Sequence, residues 1–167
     1  MKPSPFVVLL GFCLIASCDP VQTARVDALG SEAVGVRKGP LHRPGQPCTY
    51  CHDGALGNPS AFSVAGTLYP TPSAPVGLAG ATVTMTDAVG SKYASTTNEA
   101  GNFYVEPSRW SPTFPIVANV VTFGGQSVTM YSKIGVSTAC ASCHSTVEGP
   151  SSPGRIVLQL DDGGAPP

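Results

Sequence analysis

The feature that most constrains this chain is a five-residue pattern that occurs twice. It reads Cys48-Thr49-Tyr50-Cys51-His52 and again Cys140-Ala141-Ser142-Cys143-His144. Two thiols three positions apart on a tight turn can each bond one arm of a single flat group. The histidine that follows is then held beneath that group, with an imidazole nitrogen turned to its centre. Four of the six cysteines in the chain are committed to these two copies.

The Cys-x-x-Cys-His spacing is the attachment signature of c-type haem. Two copies predict two covalent haems, with Cys48 and Cys51 bonding the vinyl groups of one and Cys140 and Cys143 those of the other. His52 and His144 are the expected proximal iron ligands. A redox disulfide is the first competing reading, but it normally sits at a helix start in a βαβ context, and no such context is visible. One structural zinc held by the four thiolates is the second. It would leave His52 and His144 without a role.

Distal ligands are less determined. His42 is the only histidine outside the two patterns, and it is a candidate for either iron. It lies in Leu41-His42-Arg43-Pro44-Gly45-Gln46-Pro47, a rigid, non-helical approach to Cys48. Met130, on a candidate strand ahead of Cys140, is the methionine candidate, with Met85 behind it. Methionine ligation raises haem potential, whereas packing is the commoner fate of a strand methionine. Tyr50, Trp110 and Tyr131 are candidates to pack on a porphyrin or in the core.

The N-terminus sets the compartment. Lys2, an apolar run from Phe6 to Ala16 and then Ser17-Cys18 make an export signal too short to span a bilayer comfortably. Ile15-Ala16-Ser17-Cys18 looks like a bacterial lipobox, which implies cleavage before Cys18 and lipid on its thiol. The expected layout is a signal peptide over 1–17, a flexible tether over 18–40 and a first haem segment over 41–57. A β-sandwich over 58–162, containing the second pattern at 140–144, and a tail over 163–167 complete it. Charged residues make up 11% of the chain and the net charge is −1. Nothing in that balance points to a nucleic-acid partner.

The middle of the chain reads as short strands. Ser63–Tyr69, Ala81–Thr86, Ser91–Thr96, Asn102–Val105, Ile116–Phe123, Ser127–Tyr131 and Arg155–Leu160 are rich in threonine and valine, and glycine-bearing turns follow Asp87 and Asn98. About seven strands predict an all-β, antiparallel sandwich with a haem loop before the first strand and another before the last. Val64-Ala65-Gly66, Leu78-Ala79-Gly80-Ala81-Thr82-Val83, Asp87, Gly90 and Thr96-Thr97-Asn98-Glu99-Ala100-Gly101-Asn102-Phe103 resemble the carboxypeptidase regulatory-like family. That resemblance implies a small transthyretin-like or prealbumin-like sandwich, and no peptidase activity. No His-Glu-x-x-His motif is present.

These features together read as an exported di-haem c-type cytochrome, lipid-anchored to a bacterial membrane and facing the periplasm or the cell surface. It is expected to be an electron carrier rather than an enzyme, working with redox partner proteins in a respiratory or extracellular chain. The alternative class is a zinc-stapled surface binding module without redox activity. A di-haem peroxidase would need an open iron and a substrate pocket, for which the chain looks too small. If strands alternate in direction, six of them separate the two patterns, and both haems fall at one end of the sandwich.

Overall fold

Threonine and valine alternate through the middle of the chain, a texture that suits a pleated, half-buried surface. In the computed structural model, which describes residues 19–32, 35–36, 38–54, 60–146 and 149–158, this region forms strands. They are β1 Val64–Tyr69, β2 Thr82–Thr86, β3 Lys92–Thr96, β4 Asn102–Val105, β5 Val117–Phe123, β6 Gln126–Val128 and β7 Ile156–Val157. They lie in two small sheets, ordered β4-β1-β7 and β3-β2-β5-β6. β1, β2, β3 and β5 each start one residue later than expected and β6 one residue earlier, and two more boundaries shift. β6 stops at Val128 instead of Tyr131, and β7 starts at Ile156 instead of Arg155. The expected end of β7 at Leu160 lies outside the described residues.

The two turns singled out in the sequence are built as their residues require. The Asp87 carboxylate accepts the backbone N–H of Val89 (3.1 Å) and Ser91 (2.8 Å) on one oxygen and that of Thr113 (3.0 Å) on the other. Those N–H donors hold its carboxyl below the usual carboxylate range, Thr113 first among them. Asn98 Oδ1 accepts from Ala100 (3.0 Å) and Asn102 (3.1 Å), closing the corner at which the chain leaves one sheet for the other. Gly101 is obligatory in that corner. Its φ is 76°, and a Cβ there would strike the Leu68 carbonyl oxygen and lie 2.6 Å from Gly77 Cα.

Both sheets contribute to one core. Val64 and Leu68 of β1, Phe103 and Val105 of β4, and Val83 and Met85 of β2 meet Trp110, Ile116 and Leu158. β2 alternates between buried and half-buried as a one-sided strand should. β1 does not, being buried at all six positions. It is central in its sheet, with the core on one face and the approach to the first motif on the other, where the Gly45 N–H donates to Thr67 Oγ1 (2.8 Å).

Two expectations are corrected here. The strands are not all antiparallel, because β7 runs parallel to β1, pairing Leu68 with Ile156 and Tyr69 with Val157. A long excursion from β6, instead of a hairpin, frees the chain to return in this direction. The 18–40 stretch is not a featureless tether either. Pro20–Ala28 is a helix, α1, with Asp19 as its N-cap, accepting from Val21 (2.9 Å) and Gln22 (3.2 Å). Aspartate at the cap followed by proline at the first helical position is a start signal present in the sequence. Helices this short are marginal alone. This one is tied to the first motif by Gln22 Nε2, which donates to the Tyr50 carbonyl, and by Arg25, whose guanidinium sits 5.7 Å from the Tyr50 ring centre.

Candidate functional site

The two five-residue patterns fold alike although their middle residues differ. Cys48–Tyr50 and Cys140–Ser142 are each a single 3-10 turn. In the first, Cys51 N–H and His52 N–H both donate to the Cys48 carbonyl, at 3.2 and 3.0 Å. In the second, Cys143 and His144 donate to the Cys140 carbonyl at 3.1 and 2.8 Å. The histidines are oriented alike as well. His52 Nδ1 lies 2.7 Å from the Ser60 carbonyl, and His144 Nδ1 lies 3.0 Å from that of Gly154. A backbone carbonyl on Nδ1 fixes the tautomer with the proton there and leaves Nε2 basic for a metal.

The first motif sits over the outer face of the β4-β1-β7 sheet. Its approach segment is fastened there by Asn102, whose Nδ2 donates to the carbonyls of Pro40 (3.3 Å) and His42 (3.2 Å). Asn98 Nδ2 adds a 2.7 Å bond to the same Pro40 carbonyl, and Asn102 Oδ1 accepts from Thr67 at 2.7 Å. His42 is thereby placed with its ring centre 5.7 Å from that of His52, the planes at 45°. His42 Nδ1 engages both the N–H and the carbonyl of Gly39, and no hydrogen bond among the described residues claims its Nε2. Phe62 stacks on His52 at 4.3 Å, and Tyr104 on Phe62 at 4.7 Å. A cavity of about 810 Å³ opens here, lined by Cys48, Cys51, His52, His42, Phe62 and Tyr104 among others. That volume is within the range of small-molecule sites, roughly 300–1,000 Å³.

The second motif sits in a loop whose two ends are pinned to one edge of β1. Ala139 bridges Ala65 in parallel at one end, and β7 pairs with Leu68 and Tyr69 at the other. Ser152 Oγ holds the loop shut, accepting from Ser145 (3.0 Å) and Gly154 (3.1 Å). Cys140 packs onto the core cluster beside Gly66, and Cys143 is exposed. The motifs are neighbours. A Cβ on Gly45, ahead of the first, would meet Thr146, behind the second, at 3.6 Å. Burial pushes the Cys140 thiol up to about 12, and the nearby Cys48 adds to the rise. Burial likewise raises Cys48.

The other sequence candidates are dispersed. Met130 lies just beyond β6, half-buried, with its N–H on the Ala118 carbonyl (3.2 Å), and it lines neither the large cavity nor a smaller one between Tyr50 and Ser142. Met85 is 1% exposed in the core. Trp110 is core, donating its indole N–H to Ser91 Oγ at 3.0 Å, and Tyr131 is fully exposed. Cys18 and its lipobox lie outside the described residues. Among the described residues no helix is long and apolar enough to cross a membrane, and no three His, Cys, Asp or Glu side chains gather as a metal site. Ser60, Phe62, Thr67, Asn102 and Gly154 were not visible as site residues in the sequence. Only Asn102 carried a signal, and that was as a corner residue. No family model, curated protein or solved structure matches this chain.

Proposed function

We propose that this chain is an exported, lipid-anchored di-haem c-type cytochrome that carries single electrons between redox partner proteins. The observation that carries this reading is the repeated local build: two Cys-x-x-Cys-His turns of one geometry, each with its histidine steered by a backbone carbonyl on Nδ1. At the first motif the residues fit the group. The first motif faces a cavity of ligand size whose wall mixes Phe62, Tyr104, Leu29 and prolines with the charged Glu32, Lys38, Arg43 and Glu106, and its thiols and imidazole line that cavity together. Each thiol would add across one vinyl double bond, sulfur to one carbon and hydrogen to the other, with no atom lost. Haem supplies the one-electron couple when bound, and the chain sets its ligation, burial and spacing.

In this reading Cys48, Cys51, Cys140 and Cys143 anchor, and His52 and His144 ligate. The two sheets form the transthyretin-like sandwich that the turn residues resemble, here a scaffold that brings both motifs to β1. That proximity favours direct exchange between the two haems. Cys18 carries the lipid. The alternative reading is one zinc stapling a surface module, for which no three ligating side chains gather among the described residues.

The test is a pyridine haemochrome assay on protein matured in a host that attaches c-type haem. Two covalent haems per chain are expected, falling to one in Cys48→Ser/Cys51→Ser and to one in Cys140→Ser/Cys143→Ser. No haem, with stoichiometric zinc by elemental analysis, would overturn the cytochrome in favour of the stapled module. Cys18→Ala is expected to move the protein from the membrane to the soluble fraction.

A further inference from the structure

The chain holds three histidines, and two belong to the haem motifs. The position of the third therefore decides how the two irons differ. We infer that His42 is the second axial ligand of the iron held by the first motif, opposite His52, and that the iron beside His144 has no histidine partner. The inference rests on the di-haem reading and assigns within it a ligand that the sequence left open between two irons.

Three independent observations carry it. The first is separation. Two imidazoles bonded through nitrogen at about 2 Å to opposite sides of one metal place their ring centres about 6 Å apart. His42 and His52 stand at 5.7 Å. The second is chemistry. His52 Nδ1 faces the Ser60 carbonyl and His42 Nδ1 meets both the N–H and the carbonyl of Gly39, and neither ring's Nε2 is claimed by a hydrogen bond among the described residues. The third is placement. Both histidines line the cavity that Cys48 and Cys51 line, and His144 does not. His42 does not drift into this position. Asn102 and Asn98 hold the carbonyls of Pro40 and His42 to the sheet, and the Gly45 N–H is bonded to Thr67. A ligand preset in this way loses little freedom on binding.

The consequence is a division of labour. A six-coordinate bis-histidine iron is closed and suited to electron passage. With no third histidine left in this chain, the second iron's shell is completed by another side chain, water or an external molecule. Met85 is buried in the core, and Met130 is held by its backbone N–H on Ala118 of the other sheet. The second haem is thus the place where a small neutral ligand such as carbon monoxide would bind.

The experiment uses full-length haem-loaded protein, with covalent haem counted in every sample. Low-temperature electron paramagnetic resonance of the ferric wild type is expected to show one bis-histidine low-spin iron per chain. His42→Ala should lose that signal while keeping two haems, and added imidazole should restore it. The ferrous variant should bind one more carbon monoxide per chain than the wild type. Met130→Leu should leave the bis-histidine signal in place. Two haems with an unchanged spectrum in His42→Ala would overturn the ligand assignment alone. Two bis-histidine irons in the wild type would do the same. A wild type without haem would overturn the cytochrome reading itself.

Discussion

Gly66 and Cys140 pack so closely that a Cβ added to Gly66 would lie 2.9 Å from the Cβ of Cys140 and 2.8 Å from the Phe103 ring. The absent side chain in the middle of β1 makes room for the first cysteine of the second motif against the core. Gly66→Ala is therefore expected to cost about 1–3 kcal/mol, as overpacking does. Urea unfolding would read the loss. Hydrogen exchange should show the second-motif loop loosening more than the Asp87 turn, which lies away from the contact.

Asn102 joins the outer face of the sheet to the segment that carries His42. Asn102→Ala removes its bonds to Pro40, His42 and Thr67 and leaves a buried threonine hydroxyl without that acceptor. The expected cost is about 2–3 kcal/mol, from unmade buried bonds. Thermal melting checks the magnitude. A fall in the bis-histidine signal at constant haem content would check that Asn102 positions His42 as well as stabilising the fold.

Asp87 predicts a pH dependence. Its carboxyl is held below the usual range by backbone N–H groups. A group depressed in the folded state contributes stability above its unfolded value, and that contribution is lost as pH falls through the folded value. Asp87→Asn should lower the urea midpoint at pH 7. The gap to wild type should narrow below about pH 4, the unfolded range of aspartate. A gap that stays constant down to pH 2 would rule this out.

Asp19 caps α1 through two backbone N–H groups. Asp19→Ala is expected to cost the helix about 1 kcal/mol. Faster amide exchange over Pro20–Ala28 would report it, with the sheets unaffected. Because Gln22 and Arg25 reach Tyr50, exchange at Thr49 and Tyr50 should rise in parallel.

What the sequence carried was local. The Asp87 and Asn98 turns, with their glycines, were legible because a few adjacent residues build each one. Strands such as Ala81–Thr86 were legible because alternation marks a one-sided surface. The helix at Pro20–Ala28 is also written locally, in Asp19-Pro20, yet it buries no residue and so has no apolar stripe to mark it. What could not be read was set by distant contacts. β1 is buried on both faces only because residues 40–45 lie across it, and β7 runs parallel to β1 only because of where its loop returns. The Cys-x-x-Cys-His patterns announced the site, but Ser60 and Gly154 orient its histidines through carbonyls that any residue type would supply. His42 could be named a candidate, and its pairing with His52 needed the fold.

The pinned loop of the second motif has one more consequence. Among the described residues β7 pairs two residues with β1, and Ala139 adds a single bridge, so strand covers only part of that edge. The loop that carries the second motif starts and ends on that edge. An open strand edge invites another chain to add to it. Chains that fail to secure the second motif would then announce the failure by sticking to one another, well before their cores melt.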